Sequence, residues 1–210
     1  ATEGDTMDGM TRKNLLVAGA AGVAATAFSA DALAASDAGG TPTLPHSTEK
    51  FHFGLGAAKP DHVTDYGTVT KCTVKNMPTL AGSDAAVFLL RLKPGGLREP
   101  HWHPNAWELD YCVSGHVQFT IVDPEDKVAT FDLHPGDVAF VPQGWAHMIR
   151  NVGSTEAVIP ITFGNNDPDD TGLSTMFGGM PTNAFEETLA VKKGTLAKAR
   201  KPAKTLFIVS

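Results

Sequence analysis

The sequence predicts an all-β domain, a sandwich or barrel of short antiparallel strands, on three observations. Gly 21 and Pro 14 supply one residue in six of the 210, while charged residues make up only 19%. A long helical bundle would instead be rich in Glu, Lys, Leu and Ala. Short apolar runs recur at spacings of roughly ten residues with turn residues between them, the rhythm of a sandwich or barrel. The hydrophobic share of 42% is enough to bury a core, which excludes a fully disordered chain. The length suits one domain of ordinary size, about 100–150 residues, with some chain to spare.

Residues 1–35 differ from the rest. Thr11 to Asn14 (TRKN) is a short basic stretch ahead of the uncharged run Leu15–Ala30, and Ala32 and Ala34 supply an Ala-x-Ala ending. That is the pattern of an export signal. It resembles a twin-arginine signal with Lys13 at the place of the second arginine. The run is too short and Ala/Gly-rich for a stable membrane span, which wants about 20 strongly apolar residues. The expectation is an exported protein, periplasmic or secreted. Residues 36–49, small and proline-containing, read as a linker, and residues 50–210 as a single domain.

Within that domain Val87–Lys93 reads as a strand stopped by Pro94, Gly95 and Gly96. Further strands are predicted over Trp107–Val113, His116–Asp123, Val128–Leu133, Asp137–Val141, His147–Val152 and Glu156–Phe163. A loop dense in Asn, Asp and Gly follows at Gly164–Thr171. Pro181–Val191 then reads as a helix, with Asn183 as its cap, Glu186 at the capping-box position, and Phe185 and Leu189 on one face. Leu206–Val209 is an apolar end, an edge strand or a partner contact.

Net charge is −6, but the last 20 residues hold six bases (Lys192, Lys193, Lys198, Arg200, Lys201, Lys204) and no acid, leaving −12 on the remainder. So acidic a body is a poor nucleic-acid binder. Cys72 and Cys112 are too few for a disulfide framework or a Cys-based zinc site.

The chemistry concentrates in two blocks. Gly95 is followed after five residues by His101-x-His103, after four more by Glu108, and after six more by Gly115. Twenty residues later Gly136 opens the second block, in which Pro142, Gly144, His147 and Asn151 follow. Residues two apart in a strand share a face, so His101 and His103 can present two imidazoles together. Glu108 opens the next strand and can swing in from the neighbour; His147 opens a later strand behind a Pro-x-Gly turn. Three imidazoles and one carboxylate suit a first-row divalent metal and leave two positions of an octahedral ion open. His46, His52, His62, His116 and His134 stand outside the pattern and read as ordinary hydrogen-bonded histidines.

These two blocks match both motifs of the cupin superfamily. The resemblance implies an antiparallel jelly-roll β-barrel with short C-terminal helices and one metal held by His101, His103, Glu108 and His147. The stretch Leu97–Ala106 (LREPHWHPNA), with Arg98 three residues before the first ligand, looks like the oxalate decarboxylases. That likeness covers roughly residues 50–205 and implies manganese (iron at the same ligands being the alternative), dioxygen as co-catalyst and oxalate as substrate. It places Arg98 beside the substrate. It also implies a proton donor on a lid after the second motif, usually a Glu. The matching segment, Asp167–Thr175, holds no Glu; Asp170 is the nearest match and Asp169 the second. Oxalate oxidase, another cupin dioxygenase and a non-catalytic binder of small acids are the rival readings. Barrels of this family often pair, so a homo-oligomer is expected, with residues 183–200 and Leu206–Val209 as contacts. Asp110 and Cys112 share a strand face with Glu108; Asp110 can orient a ligand imidazole or face outward, and Cys112 reads as a small buried hydrophobe.

Overall fold

The structure is a computed structural model that describes residues 50–199, 201–202 and 204–210. The export-like segment 1–35, the linker 36–49 and Arg200 lie outside the described residues. In chain order the strands are β1 (His62–Thr64), β2 (Gly67–Cys72), β3 (Ala86–Leu92), β4 (Leu97–Trp102), β5 (Glu108–Tyr111), β6 (Val117–Val122), β7 (Val128–Leu133), β8 (Val138–Val141), β9 (Ala146–Asn151), β10 (Ala157–Phe163), β11 (Thr171–Gly172) and β12 (Ile208–Val209). Two short helices, α1 (Leu173–Gly179) and α2 (Thr182–Thr188), lie between β11 and β12.

The strands form two antiparallel sheets, ordered β1-β2-β3-β10-β5-β8 and β11-β4-β9-β6-β7, with β12 added to β4. Successive strands cross repeatedly from one sheet to the other, the connectivity of a jelly roll. Alternation explains which side chains meet. In β6, Val117, Phe119 and Ile121 are buried while Gln118, Thr120 and Val122 are not; in β9, His147, Ile149 and Asn151 turn inward. One cluster of buried residues contains Leu90, Ile159 and Phe163 from the first sheet and Val117, Phe119 and Ile149 from the second. The sheets therefore share one core.

Turn chemistry closes the barrel. Gly115 has φ 85°, and a Cβ there would lie 2.5 Å from the Ala157 Cα, so only glycine fits between β5 and β6. Gly144, φ 79°, turns the chain into β9 and donates its N–H to the His103 carbonyl at 2.9 Å. The Asn151 amide donates to the carbonyls of Leu92 and Thr155 at 2.7 and 2.8 Å, tying β9 to the end of β3 and to the turn before β10.

Three expectations need correction. The helix predicted over Pro181–Val191 is shorter, and Asn183 does not cap it. Glu186 instead accepts the N–H groups of Gly194 and Leu196, folding the following turn back onto the helix. Leu189 is exposed, so the predicted apolar face reduces to Phe185, which packs on Phe177 at 4.9 Å. Glu108 reaches its neighbours from the opposite sheet, not from an adjacent strand. Of the two roles expected for the apolar end 206–209, the edge strand is the one observed: β12 pairs with β4, and Phe207 and Ile208 are buried there.

Candidate metal centre

The ligand cluster follows from strand register. β4 and β9 are neighbours, and His101 and His147 are direct partners in the ladder. His103 stands one residue past the end of β4 and still faces the same centre. Glu108 enters from β5 across the barrel. The ligating atoms of all four lie within 4.8 Å of one another, and all four residues are buried.

Each imidazole is oriented through its far nitrogen. The Nδ1 of His101 meets the Glu99 carbonyl at 2.7 Å, that of His147 meets the Trp145 carbonyl at 3.0 Å, and that of His103 meets the Asp169 carbonyl at 2.6 Å. A carbonyl only accepts, so each Nδ1 carries the hydrogen and each Nε2 presents a lone pair inward. The Glu108 Oε2 lies 2.9 Å from His103 Nε2 and 3.2 Å from His147 Nε2. Yet both nitrogens and both carboxylate oxygens are buried with no hydrogen-bond partner among the described residues. A cluster of inward acceptors repels itself unless a cation sits among them. The donor set of three nitrogens and one oxygen fits Mn²⁺ or Fe²⁺.

Protonation follows the same logic. Burial, Arg98 and the two other imidazoles push His101 well below the ordinary histidine range, so it stays neutral as a ligand should. Burial pushes the Glu108 carboxyl up, but in the metal-free cluster charge and hydrogen bonding from His147 and His103 outweigh that and hold it well below the usual range. Asp110, two residues on and fully buried, is raised well above it by burial and by Glu108. Folding thus favours the anion at Glu108 and the acid form at Asp110. Asp110 orients no imidazole, because backbone carbonyls occupy all three Nδ1 positions. Cys112 is fully buried in the core cluster.

Strand alternation alone would turn Arg98 away from the His101 face. The β4/β9 register shifts between Arg98 and His101, and this bulge brings Arg98 onto the cavity wall beside the ligands. Arg98 is 5% exposed and forms an ion pair with the Asp170 carboxylate, itself on the cavity wall. Glu99 is not its partner. Asp169 is separate: its carboxylate accepts from the Asn105 amide at 3.0 Å, its N–H donates to Asn105 Oδ1 at 2.8 Å, and only its carbonyl touches the site, through His103. The cavity between Arg98, Asp170 and the ligands holds about 10 Å³, room for one water.

Sequence reasoning missed Phe207 and Glu99. Phe207 lines the same cavity, with its ring 4.5 Å from the Arg98 guanidinium carbon. Glu99, buried, accepts from Ser174 N–H, Ser174 O–H and Phe207 N–H, each at 2.9 Å. No local pattern signals either, because their partners come from the far end of the chain. Trp107 and Phe140 stand 39% and 55% exposed, their rings 6.0 Å apart.

A buried His₃Glu cluster inside a two-sheet jelly roll defines a metal-binding barrel, and the Cupin family model matches residues 53–195. The chain belongs to the cupin family. Among curated proteins, oxalate decarboxylase OxdC of Bacillus subtilis (strain 168) is 30% identical over 120 residues, 56% of this chain and 31% of that protein. Germin-like protein 5-1 of Oryza sativa subsp. japonica is 30% identical over 153 residues, 72% of this chain and 66% of that protein. A solved structure of the Bacillus subtilis oxalate decarboxylase superposes with a TM-score of 0.66 at 26% identity, covering 74% of this chain and 40% of that chain. The chain thus spans about a third of the length of the bacterial decarboxylase and two thirds of that of the germin-like protein.

Proposed function

We propose that this cupin is a manganese-dependent oxalate decarboxylase, splitting oxalate into formate and carbon dioxide. One observation carries the reading beyond the family: a guanidinium and a carboxyl group meet on the wall of the metal-site cavity, at Arg98 and Asp170. A bound Mn²⁺, with dioxygen, supplies positive charge for one substrate carboxylate and one-electron redox chemistry. Arg98 then holds and polarises the other carboxylate, for which its planar donors are matched.

The cavity is too small for oxalate while Asp170 rests on Arg98. Substrate therefore displaces the Asp170 carboxylate, and the loop before β11 yields with it. The reaction consumes one proton: oxalate dianion plus H⁺ gives formate and carbon dioxide. Off Arg98, the Asp170 carboxylate takes up that proton from solvent and delivers it to the carbon left when carbon dioxide departs. Asp169 acts through its carbonyl, which fixes the His103 ring. The second reading is oxalate oxidase, in which oxalate, dioxygen and two protons give two carbon dioxide and hydrogen peroxide. It is favoured by the Asp at this place, one methylene shorter than Glu and so slower to reach the carbon. The pattern of residues 1–35 supports a site of action outside the cytoplasm.

Elemental analysis followed by a paired formate and peroxide assay tests this. Manganese-loaded protein is expected to give formate in excess of peroxide. Peroxide in excess selects the oxidase, and tight oxalate binding without either product leaves a binding protein.

A further inference from the structure

Phe207 is the one bulky residue among the described residues with a left-handed backbone, at φ 62°. Asp84, Asp126 and Ala190 share the sign of φ, but they are exposed turn residues. An aromatic side chain resists this region, and such a conformation persists only where its surroundings over-determine it. Here they do. The Phe207 N–H donates to Glu99 Oε1 at 2.9 Å, the Glu99 N–H donates to the Phe207 carbonyl at 2.9 Å, and Ile208 pairs with Arg98 in the β4 ladder. Ser174 ties the same strap down by donating to Glu99 and accepting the Leu206 N–H at 3.0 Å.

The strained backbone puts the ring in one place. It is 7% exposed, stacked on His62 with centroids 3.6 Å apart, 4.5 Å from the Arg98 guanidinium carbon and 4.7 Å from the Lys71 ammonium. It forms part of the wall of the cavity that also contains His101, Glu108 and Asp170. A ring needed only to fill the core would not require an unfavourable backbone with this many tethers. Asp170 can swing away to admit a carboxylate; Phe207 cannot, because its own N–H and carbonyl are both bound to Glu99.

We propose that Phe207 sets the length of dicarboxylate that the site accepts, leaving room for a two-carbon dianion and excluding longer ones. The proposal deepens the oxalate reading and rests on it. The flanking cations attract any dianion, so the apolar wall, not charge, does the selecting.

The test is Phe207→Gly, which suits the left-handed backbone and removes the ring, with Phe207→Leu as a variant that keeps an apolar wall. Binding of oxalate, malonate and succinate to the manganese-loaded proteins is measured by calorimetry, beside oxalate turnover and thermal melting. Phe207→Gly is expected to tighten malonate by about tenfold or more relative to oxalate, the discrimination a pocket makes over one methylene. Phe207→Leu should fall between. A malonate-to-oxalate ratio unchanged in folded variants overturns the proposal, as does wild-type protein that already binds malonate as tightly as oxalate. If wild-type protein binds no oxalate but Phe207→Gly gains malonate, the oxalate reading fails and the size selection stands. If wild-type protein binds no oxalate and neither variant gains malonate, both readings fail.

Discussion

The two sides of this cavity are held in different ways. On the ligand side, His101 and His147 are each oriented by the carbonyl two residues earlier in the chain. On the Arg98 side, the partners lie 72 residues away at Asp170 and 109 away at Phe207. The first arrangement needs only correct strand pairing; the second needs the lid loop and the chain end to be docked as well. His103 joins the two, since its orienting carbonyl is Asp169, 66 residues on. The ligand cluster is therefore built into the barrel, while the Arg98 side is assembled from separate segments of the chain.

The largest effects should come from breaking the ligand side. Glu108→Ala removes the only carboxylate of the cluster and leaves three neutral imidazoles. Manganese affinity should fall at least about 100-fold, beyond the range seen for groups that merely orient ligands, with turnover lost in proportion. Elemental analysis after gel filtration reads this directly, and a variant retaining a full equivalent of metal contradicts the assignment. Breaking the other side should leave metal in place. Arg98→Lys keeps the charge but loses the paired donors, and kcat/KM on oxalate should drop about 10²–10³-fold at unchanged manganese content. Asp170→Asn sits next in size. It removes the proton donor, so formate production should fall at least about 10-fold and the peroxide share rise. Unchanged formate yield would exclude Asp170 as the acid.

The same contrast governs how much could be read from the sequence. The ligand set was legible because each member sits at a fixed offset from a turn glycine or proline, and strand periodicity does the rest. Strand positions were legible for the same reason: Val128–Leu133 is expected and observed with identical ends, and β3, β9 and β10 shift by one residue at most. The orientation of Arg98 was not, because a bulge reverses parity there and a bulge leaves no periodic trace. Glu99 and Phe207 were illegible because they act on each other across the whole domain. The capping box at Asn183 failed because tertiary demand took Glu186 for the turn at Gly194 and Leu196.

Glu99 offers a smaller and purely structural break. Its carboxylate accepts three hydrogen bonds from α1 and the C-terminal strap, so Glu99→Gln sets an NH2 group against an N–H donor at either oxygen's place, Ser174 at Oε2 or Phe207 at Oε1. Hydrogen bonds to a charged group are worth about 1.5–3 kcal/mol each, and a loss of about 2 kcal/mol lowers Tm by about 4–8 °C in a chain of this size. The strap should become cleavable by protease while the ligand side keeps its metal. Simultaneous loss of metal would mean that the two sides are one cooperative unit.

Asp110 supplies the finest distinction, because it belongs to the ligand side and yet lowers its stability. Unfolded, its carboxyl ionises near the ordinary value of 3.8; folded, burial and Glu108 hold it well above that. Between those two values the folded chain keeps a proton that the unfolded chain releases, so stability falls as pH rises through the window. Glu108 and His101 run the other way. Both are lowered on folding, so their contribution is present above 4.5 and 6.5 respectively and is lost as pH falls. Asp110→Asn keeps the shape and deletes only the Asp110 contribution. Metal-free variant should therefore melt higher than metal-free wild type at pH 7, by about 2–4 °C if the contribution is ~1 kcal/mol. The gap should close as the pH approaches 4, and one that widens instead would show that Asp110 is ionised in the folded protein. A neutral Asp110 leaves Glu108 as the only anion beside three imidazoles, which keeps a bound divalent ion net positive towards a dianionic substrate; with Asp110 ionised, that charge would be largely spent before the substrate arrived.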